Sequence, residues 1–223
     1  MRRLWFVAIL CIAVSSSAFA GPCPYECPDL SGGPWPVATS TIPMFMRVGG
    51  FGPTGQPDPA TEFEVVVRDL ANNPIPNALV CVDLGQCAPA VVCGVWSATC
   101  DSLDAGAPEH RVFAVTDAAG RVRMRLAGQA NNPGGGPVSG DGRARISVCG
   151  MLLGTVPVAF LDQNGGDGTG ANDLSAWFGD FEQALWFARS DYDGNGALGA
   201  NDISVWLGFF GSGSSALGCT NHP

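Results

Sequence analysis

Two acidic, glycine-rich loops near the C-terminal end of the chain carry the residues with the clearest capacity for chemistry. The first segment runs from Asp162 to Phe181 and the second from Asp191 to Phe210, and each loop leads into an aromatic stretch. The segments begin 29 residues apart and share the sequence Gly-Ala-Asn-Asp at equivalent positions. Carboxylates, carboxamides and glycines at this spacing suit the enclosure of a hard divalent cation by oxygen. The duplication therefore predicts a paired metal-binding module.

The second loop matches the ligand spacing of a calcium-binding loop. Calcium takes about six to eight oxygen ligands, supplied by positions 1, 3, 5, 7, 9 and 12 of such a loop. Gly196 at position 6 provides the sharp turn, and water would serve the position near Gly199. The predicted protein ligands offer side-chain oxygens, or in one case a backbone carbonyl: Asp191, Asp193, Asn195, Ala197 (carbonyl) and Asp202.

The first loop departs from this spacing at its centre. Gly166 occupies position 5 and has no side-chain oxygen, and an aspartate occupies position 6. A shift of one residue would give Asp167 the fifth ligand role and let Gly168 turn the chain. The predicted site residues of this loop are Asp162, Asn164, Asp167, Gly168 and Asp173. We therefore predict two calcium ions, with the first site the weaker.

An alternative is that both loops are Asx-rich turns stabilised by their own backbone hydrogen bonds. The matching helical patterns that follow the loops favour the metal-binding interpretation. Apolar residues recur at helical spacing in both copies, at Leu174, Trp177, Phe178 and Phe181 and at Ile203, Trp206, Leu207 and Phe210. This spacing predicts one apolar stripe on each of two helices. We expect the helices to cover each other's stripe around a pseudo-twofold axis.

The tail from residue 161 to 223 resembles the dockerin family. The resemblance rests on aspartate rather than glutamate at position 12, on a helix after each loop, and on the lack of a helical pattern before it. It implies two bound calcium ions and docking onto a cohesin-like or other exported protein, in an assembly linked to polysaccharide degradation. By position in the family's loops, it also implies partner contacts at Ala171, Asn172, Ala200 and Asn201.

The segment from residue 41 to 160 has the pattern of a β domain. Phe63, Val65 and Val67 fall on one face, and Glu64, Val66 and Arg68 fall on the other, as in a half-buried strand. A turn at 72–76 follows, then a strand at 78–84, a cysteine-rich insertion at 85–106, and a hairpin built from 111–116 and 121–126. About seven short strands separated by turns predict a β-sandwich.

This β segment is similar to bacterial immunoglobulin-like domains and to the carboxypeptidase regulatory-like fold. The residues that carry the similarity are Val65–Asp69, Asn73–Val80 and Thr116–Arg121. Such domains act as spacers or binding modules. The predicted fold class is therefore mainly β, with an immunoglobulin-like β-sandwich followed by a small all-α dockerin-like module with paired calcium-binding loop–helix repeats.

The N-terminal region predicts export. Residues 1–20 have the positive start, apolar stretch and Ala-Phe-Ala ending of a signal peptide, and residues 21–40 form a proline-rich leader. We expect a secreted or cell-surface protein with no transmembrane segment in the mature chain. Eight cysteines remain after cleavage, and in an oxidising compartment they are expected to form disulfides. A zinc site made of Cys81, Cys87, Cys93 and Cys100 is the alternative.

Charge and motif content exclude several classes of function. The net charge of −9 and the lack of a basic patch argue against nucleic-acid binding. The sequence contains no catalytic motif, so we expect no enzyme activity. Two alternatives stay open: a carbohydrate-binding or glycoside-hydrolysing β domain tethered by the tail, and a tail that acts as an intramolecular calcium clasp without a partner.

Overall fold

The computed structural model describes residues 40–51, 56–85, 87, 91–97, 111–130, 142–164 and 168–211. Its strands are β1 (Met46–Val48), β2 (Phe63–Val66), β3 (Leu79–Asp83), β4 (Val91–Ser97), β5 (Arg111–Val115), β6 (Arg121–Gln129), β7 (Arg143–Val148) and β8 (Met151–Phe160). Its helices are α1 (Ala171–Glu182) and α2 (Ala200–Gly211), with short 3-10 turns at Pro59–Thr61 and Ala188–Ser190. The described part is mainly β, as the sequence predicts. The signal peptide and nearly all of the leader lie outside the described residues.

The strands form two sheets. One has five strands in the order β1-β8-β7-β3-β5, and the other has three in the order β2-β6-β4. All neighbouring strands run antiparallel except β1 and β8, which pair in parallel. One apolar core draws side chains from both sheets, including Val65 and Met124 from the smaller sheet and Val82 and Ile146 from the larger.

The predicted hairpin of 111–116 and 121–126 is wrong. β5 pairs with β3, whereas β6 pairs with β2 and β4, so the intervening turn carries the chain from one sheet to the other. The Asp117 carboxylate accepts the Arg121 N–H at 2.9 Å, which closes the turn. The Thr116 hydroxyl donates to the Ile75 carbonyl at 2.6 Å and accepts from the Ala78 N–H at 2.9 Å. These bonds tie the turn to the start of β3, so β5 and β6 face each other across the core.

Strand β4 lies inside the segment that the sequence analysis assigned to a cysteine-rich insertion. It pairs with β6, with an irregularity in register between Val92 and Gly94. The β-branched run at its start is an ordinary strand signal. The strand was not predicted because the many cysteines around it led us to interpret the whole segment as an insertion.

Strand β1 is covered on both of its faces. Met46 and Val48 belong to the core between the sheets. Phe45 packs instead in a second apolar cluster, and Arg47 donates a hydrogen bond to the backbone of the second loop. A Cβ at Gly49 would lie 2.9 Å from a Thr61 methyl group and 3.2 Å from a Leu161 methyl group, so a side chain there would force these neighbours to shift.

The end of β8 shows the same alternation. Val158 and Phe160 face the core between the sheets, whereas Ala159 and the next residue, Leu161, face the second cluster. The buried members of that cluster are Ala159, Leu161, Trp177, Tyr192, Trp206 and Phe209. The two helical repeats therefore form a third layer over the β1–β8 end of the larger sheet.

The expectation that the helices cover each other's apolar stripe is wrong in part. Trp177 and Trp206 are buried as expected, at 2% and 3% exposure. The later positions of both stripes are about half exposed, at Phe178, Phe181, Leu207 and Phe210. The reason is that the sheet supplies part of the cover, so the buried line of each helix turns toward β1 and β8. No helix in the described ranges is both long and apolar enough to cross a membrane.

The shared packing predicts that the β core and the helical layer unfold together. Leu161 is fully buried in the second cluster, so Leu161→Ala should lower the free energy of unfolding by about 2–4 kcal/mol. Thermal unfolding followed by circular dichroism should show one transition, shifted to lower temperature. Leu152→Ala is the control, because Leu152 lies on β8 but is 48% exposed. Separate transitions, with only the helical one shifted, would contradict this coupling.

Candidate metal centre

Three carboxylates of the second loop converge on one point. Asp191, Asp193 and Asp202 each bring one oxygen to within 4.8 Å of the others. Asp191 and Asp202 are buried, and Asp193 is half-buried. Among the described residues, this is the group of acidic, histidine or cysteine side chains that is close enough to hold a metal ion. Carboxylates this close repel one another unless a proton or a cation intervenes.

Backbone amides orient the first carboxylate of the loop. Asp191 accepts the N–H of Asn195 at 3.1 Å and that of Gly196 at 2.8 Å. The indole of Trp186 donates to the same carboxylate at 2.8 Å. Gly196 has a φ of 85°, a left-handed conformation that favours glycine, as expected for the sharp turn at position 6. The chain therefore wraps around Asp191.

The last carboxylate, Asp202, lies in the first turn of α2. It accepts the Asp193 N–H at 3.1 Å and the Gly199 N–H at 2.7 Å. These two bonds draw the start of the loop and the start of the helix to one carboxylate. Asn195 and Ala197 complete the predicted ligand set on the exposed side of the loop, where the Asn195 side-chain oxygen accepts the Ala197 N–H at 2.8 Å.

The first loop reproduces this arrangement. Asp173 in the first turn of α1 accepts the Asn164 N–H at 3.0 Å and the Gly170 N–H at 2.6 Å, as Asp202 does from the equivalent residues. Asp162 is buried. Gly168 has a φ of 92°, one position later in the loop than Gly196. That is the conformation required by the one-residue shift inferred from the sequence, although Asp167 itself lies outside the described residues.

The donor chemistry of the second loop fits calcium. The candidate ligands are three carboxylates, a carboxamide and a backbone carbonyl, with no sulfur or nitrogen among them. Hard oxygen donors of this kind suit calcium or magnesium rather than zinc or copper. Cys81 and Cys87, two of the cysteines in the zinc alternative, lie apart: Cys81 lines the outer face of the larger sheet, whereas Cys87 packs in the core.

The sequence analysis missed the contact that joins the two loops. Gln163 and Tyr192 occupy position 2 of their loops and are both fully buried. The Gln163 amide donates to the Tyr192 hydroxyl at 2.8 Å and to the Ser190 hydroxyl at 2.8 Å. Burial raises the pKa of Tyr192, as does the charge of nearby Asp173, so the phenol stays neutral. Position 2 supplies no ligand in the calcium pattern, so the ligand spacing did not point to these residues. The one signal for their contact in the sequence is that both stand at the same position of their loops.

A buried ion pair supports the same contact. Asp180 at the end of α1 and Arg189 form a salt bridge in which their side chains are 0% and 5% exposed. The Ser190 hydroxyl donates to Asp180 at 2.5 Å, and the Trp177 indole donates to the Ser190 carbonyl at 2.9 Å. Because a buried charge pair needs such extra hydrogen bonds, this network fixes α1 against the segment that leads into the second loop.

The four predicted partner-contact residues share one environment. Ala171 and Asn172 begin α1, Ala200 and Asn201 begin α2, and all four are exposed. Each pair lies beside the position-12 carboxylate of its own loop. The structure therefore leaves both pairs accessible to another molecule.

A groove of about 500 Å³ lies on the outer face of the five-stranded sheet. It is lined in part by Cys81, Arg111, Phe113, Arg145 and Ser147. Cys81 is a free thiol, contrary to the expectation that all mature cysteines are paired, and burial raises its pKa. Cys149, at the edge of the groove, is disulfide-bonded.

The groove lacks the exposed aromatic line typical of a sugar-binding sheet. The large exposed apolar side chains of the described β region are aliphatic, at Met44, Leu70, Met151 and Leu152. Phe113 within the groove is only half-buried and stands between arginines. The described surface therefore gives no particular support to the carbohydrate alternative.

Comparison with known proteins identifies no family for this chain. No protein-family model matches it, and no curated protein matches it. One solved structure that matches is described as "Crystal structure of the S-layer protein SbsC domains 4 and 5", at 16% sequence identity and a TM-score of 0.26. The match covers 56% of this chain and 53% of that chain. A similarity this low carries no argument about fold or function.

The buried carboxylates predict a pH dependence for the metal-free protein. Burial raises the pKa of Asp173 and of Asp202 in the fold. Their contribution to stability is therefore full below the unfolded pKa of about 3.9 and is lost as pH rises through the folded values. In calcium-free buffer, the melting temperature of the wild type should fall over this range more than that of Asp202→Asn. Equal pH slopes for the two proteins, measured by circular dichroism, would show that Asp202 is not responsible.

Proposed function

We propose that this chain is an exported, non-catalytic protein whose C-terminal loop–helix pair binds calcium and docks onto another exported or cell-surface protein. The observation that carries the proposal is the convergence of Asp191, Asp193 and Asp202 within 4.8 Å, in a loop with calcium-ligand spacing. The dockerin resemblance supplies the expected partner, a cohesin-like module. The β region would be an immunoglobulin-like spacer or cargo.

Calcium would act by offsetting the repulsion among the loop carboxylates. Because the ligands belong to a folded arrangement, the free energy of metal binding adds to the free energy of folding. We propose two ions, the first bound less tightly because Gly166 has no side-chain oxygen at position 5, so that one ligand of the loop is lost or rearranged. The shared hydrogen-bond pattern of Asp173 and Asp202 supports two sites of one kind.

The helical layer retains apolar surface that the sheet does not cover. Its exposed members are 39% to 59% exposed: Phe178, Phe181, Leu185, Trp186, Leu207 and Phe210. Aromatic side chains are enriched at protein–protein interfaces, where they act as anchors. This surface supports a docking role for the helices in addition to their packing on the sheet.

A second candidate function is an intramolecular calcium clasp. The observation that favours it is the packing of the helical layer on β1 and on the end of β8, which joins the first and last strands of the β region. In this role, calcium would stabilise the β domain itself and no partner would be needed. The two candidates share the metal site and differ in whether the exposed helix surface is used.

The metal site is tested by calcium titration of the full chain. Isothermal calorimetry should show two classes of site, and Asp202→Asn should weaken the tighter class by about tenfold or more because a charged ligand is lost. Glu182→Gln is the control, since it makes the same charge change at an exposed residue at the end of α1. An unchanged tight site in Asp202→Asn, or no calcium binding by the wild type, would refute the proposed site.

The docking role is tested with an immobilised cohesin domain. The wild type should be retained in calcium and released by EDTA. The double variant Asn172→Arg, Asn201→Arg should lose retention while it still binds calcium, because both residues are exposed beside the loops. Ala118→Arg, which places the same guanidinium in the exposed turn between β5 and β6, should be retained like the wild type. Calcium binding without retention would instead favour the clasp.

A further inference from the structure

Arg47 reaches from the β domain onto the second loop. Its Nε donates to the carbonyl of Tyr192 at 2.6 Å, and Tyr192 lies between the candidate ligands Asp191 and Asp193. The guanidinium carbon lies 5.3 Å from the centre of the Phe45 ring, a cation–π distance. Two contacts therefore fix the position of this charge beside the loop.

The charges around the loop are unbalanced without this arginine. Asp191, Asp193 and Asp202 bring up to three negative charges into a partly buried site. Among the described residues of the helical layer, Arg189 is engaged with Asp180 in the buried ion pair. Arg47, from the sheet, is a cation whose charge interacts with that of Asp193, and this interaction partly opposes the lowering of its pKa by burial.

We propose that Arg47 is a built-in counter-cation of the second loop, which stabilises the loop when it is free of metal and weakens its binding of calcium. This inference rests on the proposed function, because it assumes that the second loop is a calcium site. Arg47 is a positioning and charge-balancing residue here, not a ligand.

The physical reason is that the structure holds the guanidinium in place beside the loop. Its hydrogen bond to Tyr192 and its contact with Phe45 hold it on the outward face of β1. In addition, Phe45 packs so closely on the loop that a Cβ at Gly194 would lie 2.7 Å from its ring. The fixed positive charge that lowers repulsion in the metal-free loop therefore repels the incoming divalent cation.

In this arrangement the calcium affinity of the second loop is lower, and the loop is ordered before calcium binds. With its charge partly balanced by Arg47, the loop would keep its shape without metal, and calcium would then bind to an ordered site instead of having to fold one. Weaker binding suits an exported protein, because extracellular calcium modules operate at about 10⁻⁴–10⁻³ M. The sheet thus sets the calcium concentration at which the loop fills.

The test compares arginine variants of the full chain by calcium calorimetry at low and high salt. Arg47→Gln removes the charge but keeps an amide donor, and it should bind calcium about threefold to tenfold more tightly at low salt. The gain should shrink at high salt, where screening weakens the interaction of a partly exposed charge. Arg47→Lys keeps the charge and should retain nearly the wild-type affinity. Arg123→Gln, on the outer face of the smaller sheet, controls for the change in net charge.

Metal-free melting supplies the second readout. In EDTA, Arg47→Gln should melt below both the wild type and Arg47→Lys, since only the glutamine variant lacks the counter-charge. Arg47→Met is a second charge-free variant that preserves the aliphatic stem, should the glutamine variant fail to fold. Affinity in the charge-free variants that equals or falls below the wild type would overturn the inference and leave the calcium site intact. No calcium binding by the wild type would refute the proposed function instead.

Discussion

The electrostatic repulsion among three carboxylates in the second loop is the constraint on which the rest of the helical layer depends. Asp191, Asp193 and Asp202 come together because backbone amides and an indole point at them, not because they attract one another. Each amide lowers the cost of burying a negative charge, and together they define a pocket of oxygen atoms. A loop of this shape stores unfavourable energy that a divalent cation can relieve. This repulsion is the reason we propose that a cation occupies the site and that the helices that follow depend on it.

The five-stranded sheet contacts the second loop as well as the helices. Phe45 and Arg47 face the helical layer, and Met46 and Val48 face the core between the sheets, so one short segment connects both environments. The parallel pairing of β1 with β8 brings the ends of the β region to the same place. The layer of helices covers this pair from outside. The second loop and the β core therefore both contact the segment from Phe45 to Val48.

Much of this organisation could be predicted from the sequence, and the failures have physical causes. The alternation at Phe63, Val65 and Val67 and the positive φ at Gly196 follow from local rules of burial and turn geometry. The prediction of a hairpin was wrong because the sequence of a turn does not determine whether the two strands it joins pair with each other or face each other across a core. The prediction that the two helices cover each other's apolar stripe was wrong in part. The helical period locates the apolar face of a helix but does not identify the surface that covers it. The contact of Arg47 with the second loop could not be predicted, since no sequence pattern relates a strand residue to a loop about 145 positions away in the chain.

The hydrogen bond between Gln163 and Tyr192 makes the two copies of the loop–helix segment dependent on each other. The two residues stand at the same place in the two copies, yet one is a carboxamide and the other a phenol, and they complement each other at a point closed to water. A tail made from either copy repeated twice would bring two carboxamides or two phenols to a space shaped for one of each. The duplicated segments have thus ceased to be interchangeable units. Insertion, loss or exchange of one copy alone would disrupt the centre of the layer, so the two copies depend on each other.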